Sequence, residues 1–148
     1  MIAKFEECSK ILKESIVKKE ITLINEIPPH LKVWAEENML NSILQNLMSN
    51  AIKFTPKGGN IIVSAKSRSD QMIDISIRDS GIGMSKQLID NLFKIDAPSG
   101  RKGTDGELST GLGLIICKDF IGKNGGKIEV FSDVGIGSVF RFTIPAIE

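Results

Sequence analysis

MLNSILQNLMSNAIKFTPKGG, residues 39–59, is the stretch that decides the fold. Met39, Leu40, Ile43, Leu44, Leu47, Met48, Ala51 and Ile52 recur at offsets of one, three and four, the spacing that lines one face of an α-helix. Ser42, Asn46, Asn50 and Lys53 fall on the opposite face at steps of four, four and three, so their side chains stack along one line. A polar ladder of that kind faces either water or a ligand. Pro56-Lys57-Gly58-Gly59 ends the helix, and Ile61, Val63 and Ala65 then alternate with polar residues. Ile73, Ile75 and Ile77 alternate again after the Ser69-Asp70-Gln71 turn, which predicts a β-hairpin running straight into Asp79.

Upstream, Ile2, Phe5, Ile11, Leu12 and Ile16 recur among Lys and Glu and predict a surface helix from Ile2 to about Lys18. Ile21 to Ile24 and Leu31 to Trp34, separated by Pro28-Pro29, read as brief strands. Downstream come the turn DSGIGM (Asp79 to Met84), a short helix around Lys86 to Leu92, and a stretch from Lys94 to Leu108 rich in Gly, Ser, Asp and Lys. Long loops of that kind in compact domains are usually mobile or functional. A helix from about Thr110 to Gly122 precedes two last strands, Lys127 to Phe131 and Ser138 to Ile144, joined through Gly135-Ile136-Gly137. Five to seven strands with helices interspersed, and no repeat or domain linker, predict a two-layer α/β sandwich.

With 148 residues the chain is long enough to bury roughly two thirds of the surface it would expose unfolded, without a metal or disulfide to hold it. Its net charge of +1 lacks the basic excess that binding a phosphate backbone requires, so nucleic acid is not an expected partner. Cys8 and Cys117 both fall in expected helices, no Cys/His group has metal-ligand spacing, and the two thiols suit packing roles in a reducing compartment. There is no charged-then-apolar signal pattern. The longest apolar run, Leu114 to Cys117, is far below the roughly 18 residues that span a bilayer. A soluble cytosolic domain is expected, and the sequence is compatible with its having been cut from a longer, membrane-anchored protein.

Several of these residues suit nucleotide chemistry. Asn50 offers a neutral amide oxygen to Mg²⁺, a hard cation that completes its shell with water and substrate phosphates, so one protein ligand suffices. Lys53, almost one turn further on, can set an ammonium against phosphates, although the same pair also suits an exposed face of an ordinary helix. Asp79 ends an apolar strand, and its carboxylate can accept a hydrogen bond from the exocyclic amino group of adenine. Guanine presents a carbonyl there, so such a contact selects the base. Gly81 and Gly83 permit a ligand-side turn, but Asp-x-Gly-x-Gly is also a common plain turn. Ser109-Thr110-Gly111-Leu112-Gly113 precedes an apolar helix, whose free N–H groups can face phosphates or merely start the helix. The segment matches neither Gly-x-x-x-x-Gly-Lys-Ser/Thr nor a three-glycine dinucleotide fingerprint, which disfavours the two common nucleotide folds. Lys94, Arg101 and Lys102 place cations in the long loop, where they either close over a polyphosphate or solvate the loop. His30, in Pro-Pro-His-Leu, has no companion that would make it a ligand or general base.

In order and spacing, NLMSNAIKF (Asn46 to Phe54), DSGIGM, NLF (Asn91 to Phe93) and STGLGL (Ser109 to Leu114) resemble the N box, first glycine box, F box and second glycine box of one family. That family is the catalytic and ATP-binding domain of bacterial sensor histidine kinases, within the Bergerat-fold ATPases that also include type II topoisomerases and MutL-type repair proteins. The resemblance covers about Ile21 to Pro145 and implies a single domain over 1–148, a mixed sheet backed by three helices, and Mg·ATP held between the N-box helix and a lid at about 94–109. Carried over residue by residue, it makes Asn50 the Mg²⁺ ligand, Lys53 a phosphate contact and Asp79 the adenine reader. Gly81, Gly83, Gly111 and Gly113 shape the site, with Met84 and Leu112 beside them and Thr110 near phosphate. Phe93 anchors one end of the lid, Arg101 and Lys102 belong to it, and Ser138 lies near the adenine. Asn46 stands where related ATP hydrolases carry a Glu that activates water; an amide cannot take that proton, which fits a kinase.

One departure matters. The family's phosphoacceptor segment, a His followed by an acidic residue and a Thr-Pro step on a dimerising helix, is absent, and His30 does not match it. The resemblance therefore implies a domain, monomeric in isolation and without direct membrane contact, that binds ATP and phosphorylates a histidine on a separate dimerisation domain. A response regulator would act downstream. Residues 1–18 would lead in from the missing dimerisation region. A non-catalytic nucleotide-binding docking module and a stand-alone protein-serine kinase resembling anti-sigma factors share the fold and are the alternatives.

Overall fold

Helix and strand periodicities sort the chain into two layers in the computed structural model, which describes residues 2–93 and 112–146. The helical elements are α1 (Ile2–Ile11), α2 (Lys13–Lys18), α3 (Glu37–Phe54), α4 (Lys86–Asn91) and α5 (Leu112–Lys123). The strands are β1 (Thr22–Glu26), β2 (Asn60–Ser67), β3 (Met72–Asp79), β4 (Ile128–Asp133) and β5 (Gly137–Pro145). They form a five-stranded mixed sheet in the order β1-β2-β3-β5-β4, with β1 parallel to β2 and the other neighbours antiparallel.

α3 is the central helix of the helical layer. Glu36 caps its start, the carboxylate accepting from the Met39 amide at 2.7 Å, and all of Ile43, Leu44, Leu47, Met48 and Ala51 are inaccessible to solvent. They pack on the inward residues of the sheet: Ile61 and Val63 of β2, Ile73, Ile75 and Ile77 of β3, and Phe140, Phe142 and Ile144 of β5. Fully burying each such side chain contributes about 1.5–3 kcal/mol before chain entropy is counted. α5 lies against α3, where the Cys117 thiol points at the Ile43 carbonyl at 3.7 Å and Asn124 accepts from the Glu36 amide at 2.9 Å. The opposite face of the sheet, carrying Ile62, Arg78, Val139 and Arg141, is uncovered by the described helices.

Two expectations change. The helix expected from Ile2 to Lys18 runs as two segments that meet at Leu12, whose ψ of 3° departs from the helical value. Leu31 to Trp34 forms no strand: after Pro28-Pro29 the chain touches the sheet margin through a single bridge between Val33 and Ala146, with the Trp34 amide donating to Pro145 O at 2.7 Å. Proline supplies no amide to a ladder, and nothing periodic follows it to recover one. Among the described residues no helix is long and apolar enough to cross a membrane.

Candidate functional site

At the end of β3 the alternation that buries Ile73, Ile75 and Ile77 carries one step further and buries Asp79, which keeps only 5% of its surface exposed. A carboxylate is expensive to bury unless its oxygens are engaged. One of them accepts the Gly81 amide at 2.9 Å, which tightens the turn that follows. Across the sheet Asp79 pairs with Ile61 of β2 on one side and with Ser138 of β5 on the other.

The Asp79–Met84 turn is fastened to three other parts of the chain. Ile82 donates its amide to Phe54 O at the end of α3 (3.0 Å), Ser80 donates to Asn60 O (3.0 Å), and Ile82 O accepts from Gly135 N in the β4–β5 turn (2.8 Å). The turn lies so close to α3 that a Cβ on Gly81 would come within 2.2 Å of Phe54 O. Gly83 has φ +71°, a conformation that glycine adopts without strain. Met84, buried, donates its amide to Ser132 Oγ at 2.8 Å; that hydroxyl donates to Gly137 O at 2.9 Å and lies 2.8 Å from Ser138 Oγ. Ser132 was not singled out from the sequence. The available signal was a polar residue in phase with inward-facing Ile128 and Val130.

On α3 the ladder of Ser42, Asn46, Asn50 and Lys53 is half-buried rather than solvated. Asn46 donates its amide to Ser42 O at 2.9 Å and to Ser42 Oγ at 3.2 Å. Its carbonyl oxygen turns toward the first turn of α5, where a Cβ on Gly113 would meet it at 2.8 Å. The structure thus brings Asn46 and Gly113 together, and Asp79, Gly81, Gly83, Met84 and Ser138 together, with α3 joining the two groups through Phe54. Phe93 follows α4, half-buried, with the Lys118 ammonium 5.4 Å from its ring centre. Arg101, Lys102, Thr110 and Gly111, together with Lys94 and the rest of the expected lid, lie outside the described residues, as does the side chain of Leu112. His30 is exposed.

Among the described residues no three His, Cys, Asp or Glu side chains converge as a metal cage. The oxygen donors along the ladder are instead the neutral amides of Asn46 and Asn50, a set that fits a cation held largely by water and phosphate. At Gly81 and Gly113 the backbone packs directly on Phe54 O and on the Asn46 side chain, which leaves no room for a Cβ and sets the glycine turn and the start of α5 against α3. The residues present therefore fit Mg·ATP. A cavity of about 400 Å³, lined by Ile62, Arg78, Phe131, Ile136 and Val139 on the other face of the sheet, reaches this site at Asp79, Ser132 and Ser138.

Residues 35–148 match the family model of histidine kinase-, DNA gyrase B- and HSP90-like ATPases. The chain belongs to this ATPase family. Within the family it is of the sensor histidine kinase type. The adaptive-response sensory kinase SasA of Synechococcus elongatus is 35% identical over 139 residues, covering 90% of this chain and 34% of that protein. The chain thus spans about a third of the length of the curated relatives it matches. The catalytic domain of histidine kinase ThkA, in a nucleotide-free form, superposes with a TM-score of 0.83 at 29% identity and covers 98% of this chain and 91% of that one. ThkA in complex with the response regulator TrrA gives 0.79 at 26% identity, covering 99% and 40%. Full-length ShkA in complex with AMPPNP gives 0.79 at 26%, covering 97% and 29%.

Proposed function

We propose that this ATPase-family domain binds Mg·ATP and delivers the γ-phosphoryl group to a histidine on a separate dimerisation and phosphoacceptor domain. The observation that carries the reading is buried Asp79, its carboxylate aligned by the Gly81 amide on the helix-facing side of the sheet, close to the amide ladder of α3. The AMPPNP complex of ShkA and the TrrA complex of ThkA support the same reading.

In this reading Asp79 accepts from the adenine amino group, and the part-buried Ser132–Ser138 hydroxyl pair and Met84 hold the wall beside it. Asn50 is the protein ligand to Mg²⁺, which supplies charge neutralisation on the phosphates when bound. Lys53, Thr110, Gly111, Leu112 and Gly113 meet the phosphates, and Arg101 and Lys102 close over them from a lid at about 94–109 anchored at one end by Phe93. The bond from the γ-phosphorus to its bridging oxygen breaks, ADP leaves, a bond forms to the unprotonated nitrogen of the acceptor imidazole, and the proton on the ring's other nitrogen can then pass to solvent. The chain's contribution is positioning and electrostatics. Asn46 keeps water from competing, because an amide bonded to Ser42 is no general base. The domain acts in the cytoplasm as a monomer, within a parent protein that provides the acceptor, and the phosphoryl group passes on to a response regulator. Nucleic acid and membrane are not partners of this domain.

The test is calorimetric titration of Mg²⁺ with an ATP or a GTP analogue, followed by incubation with labelled ATP and a histidine-bearing helical segment. Saturable, adenine-selective binding is expected, lost in Asp79→Asn, with acid-labile and base-stable label on the added segment alone. Failure of the well-folded chain to bind, or phosphohistidine on this chain itself, would overturn the reading.

A further inference from the structure

Lys19 lies just beyond α2, yet only 3% of its surface is exposed. Its ammonium donates to three backbone carbonyls at the end of α3: Ile52 O at 2.8 Å, Lys53 O at 3.0 Å and Thr55 O at 3.3 Å. The last turn of a helix leaves carbonyls without amide partners and carries the negative end of the helix dipole. Many helices meet that need with a left-handed residue, usually glycine, directly after the last turn. α3 does not, because Thr55 is extended (φ −101°, ψ 125°) and leads into Pro56. A cation delivered from another part of the chain takes the glycine's place.

The fourth carbonyl of this run, Phe54 O, is the one that accepts Ile82 N from the glycine turn. Ile52 through Thr55 thus form a node: Lys19 donates to three of the carbonyls, Ile52 O being shared with the Thr55 amide, and the turn after Asp79 donates to Phe54 O. The side chain of Lys53 stands on the polar ladder while its carbonyl is held by Lys19, and Asn50 is one step below it. Around the node the junction is further tied, with Gly58 N donating to Lys19 O (2.8 Å), Thr22 N donating to Gly59 O (3.0 Å) and Lys57 facing Glu20 at 3.8 Å. At the other end of α3, Lys4 of α1 pairs with Glu37. That pair is exposed to solvent and holds weakly, so the buried Lys19 is the tie that seats the α1–α2 strap on α3.

We infer that Lys19 is a positioning residue for the nucleotide site. By capping α3 it sets where Asn50 and Lys53 meet the Mg²⁺-bound phosphates, and it makes that placement depend on how the α1–α2 strap is seated. The inference rests on the Mg·ATP reading above, and a chain that bound no nucleotide would defeat that reading rather than the role of Lys19.

Lys19→Met keeps length and apolar stem and removes the three donors. Calorimetry should compare wild type, Lys19→Met and Lys4→Met for Mg·AMPPNP and for ADP without Mg²⁺. Lys19→Met is expected to lose about tenfold in affinity for Mg·AMPPNP, within the usual range of coupling between sites, and less than about threefold for metal-free ADP. Lys4→Met, at the far end of the strap, should bind both ligands like wild type. Equal losses for both ligands would mark a purely structural lysine, and no loss would mark an idle one; either overturns the inference. If Lys19→Met does not fold, amide hydrogen exchange in wild type decides. By reciprocity, saturating Mg·AMPPNP must slow exchange at Gly58 and Thr22, the amides that tie the junction, and unchanged exchange there overturns the inference.

Discussion

Replacing Gly81 by alanine tests whether the Asp79–Met84 turn is bolted to α3 as tightly as its geometry says. The added Cβ would sit 2.2 Å from Phe54 O and 2.7 Å from an Asp79 carboxylate oxygen, both inside the 3.0 Å that real Cβ contacts essentially never breach. Phe54 O is backbone at the capped end of a helix and cannot swing aside, so the turn must recede. Receding stretches the Ile82 amide bond to Phe54 O and the Gly81 amide bond to Asp79. A neutral hydrogen bond contributes about 1 kcal/mol and one to a charged acceptor about 1.5–3, so ~3 kcal/mol is the expected loss. Overpacking alone gives the same order, about 1–3 kcal/mol. For a chain of this size that lowers Tm by roughly 6–12 °C. Far-UV circular dichroism with urea and thermal melts is the appropriate assay, because the sole tryptophan, Trp34, is 71% exposed and a poor reporter of folding. Gly122→Ala is the internal standard: it lies in α5 with nothing within 4 Å of its added Cβ, and it should gain about 0.5–1 kcal/mol. Gly58→Ala, with φ +86° and open space, should lose about 1–2 kcal/mol from backbone strain alone. A Gly81→Ala protein as stable as wild type, or more stable than Gly58→Ala, would refute the reasoning.

Ser132→Ala leaves the Met84 amide without its acceptor and the Ser138 hydroxyl without its neighbour, so a loss of about 1–3 kcal/mol is expected in urea melts. Ser132→Thr, which keeps the hydroxyl, should recover most of it. Gly113→Ala pushes against the Asn46 side chain, which is held to Ser42 and can give; it should cost about 1 kcal/mol or less in stability while weakening Mg·AMPPNP binding, measured by calorimetry. Burial raises the Cys8 thiol to about 11 and the Cys117 thiol to about 12, above the value of 9.0 for an exposed thiol. The folded chain then holds those protons more tightly than the unfolded chain, so stability is full below pH 9 and falls as pH rises from there toward 12. Both thiols should resist iodoacetamide at pH 8 until urea unfolds the protein, and rapid labelling of the native state would contradict the burial.

The parts of the fold that repeat a period were legible in the sequence. α3 and the β2–β3 hairpin each present enough inward residues to fix both type and orientation, and the structure buries those residues. What escaped depends on single residues or on contacts distant in sequence. The break at Leu12 falls between two helical turns with the same composition. The strand expected at Leu31 to Trp34 had apolar residues but no register partner beyond Ala146. Lys19 read as one more lysine in a charged segment, since its acceptors lie more than thirty residues downstream. At the site, Asp79 and the asparagine ladder stood out because polar residues interrupt or oppose apolar patterns. Ser132 did not, because its function comes only from the turn that the fold folds back upon it.

The placement of β5 between β3 and β4 has a consequence for how the protein comes to be. Asp79 and Ser138 are neighbours in the sheet, yet α4, α5 and β4 all lie between them along the chain. Pairings this distant in sequence form late and slowly, because a long loop has to close before any contact rewards it. During synthesis the amide ladder of α3 and the glycine turn leave the ribosome well before the strand that completes their pocket. A partly made chain can therefore hold helix and hairpin yet offer the nucleotide no finished seat. Occupancy of the site then reports on completion of the whole sheet, and a nucleotide in the cell would stabilise only chains that have folded to the end.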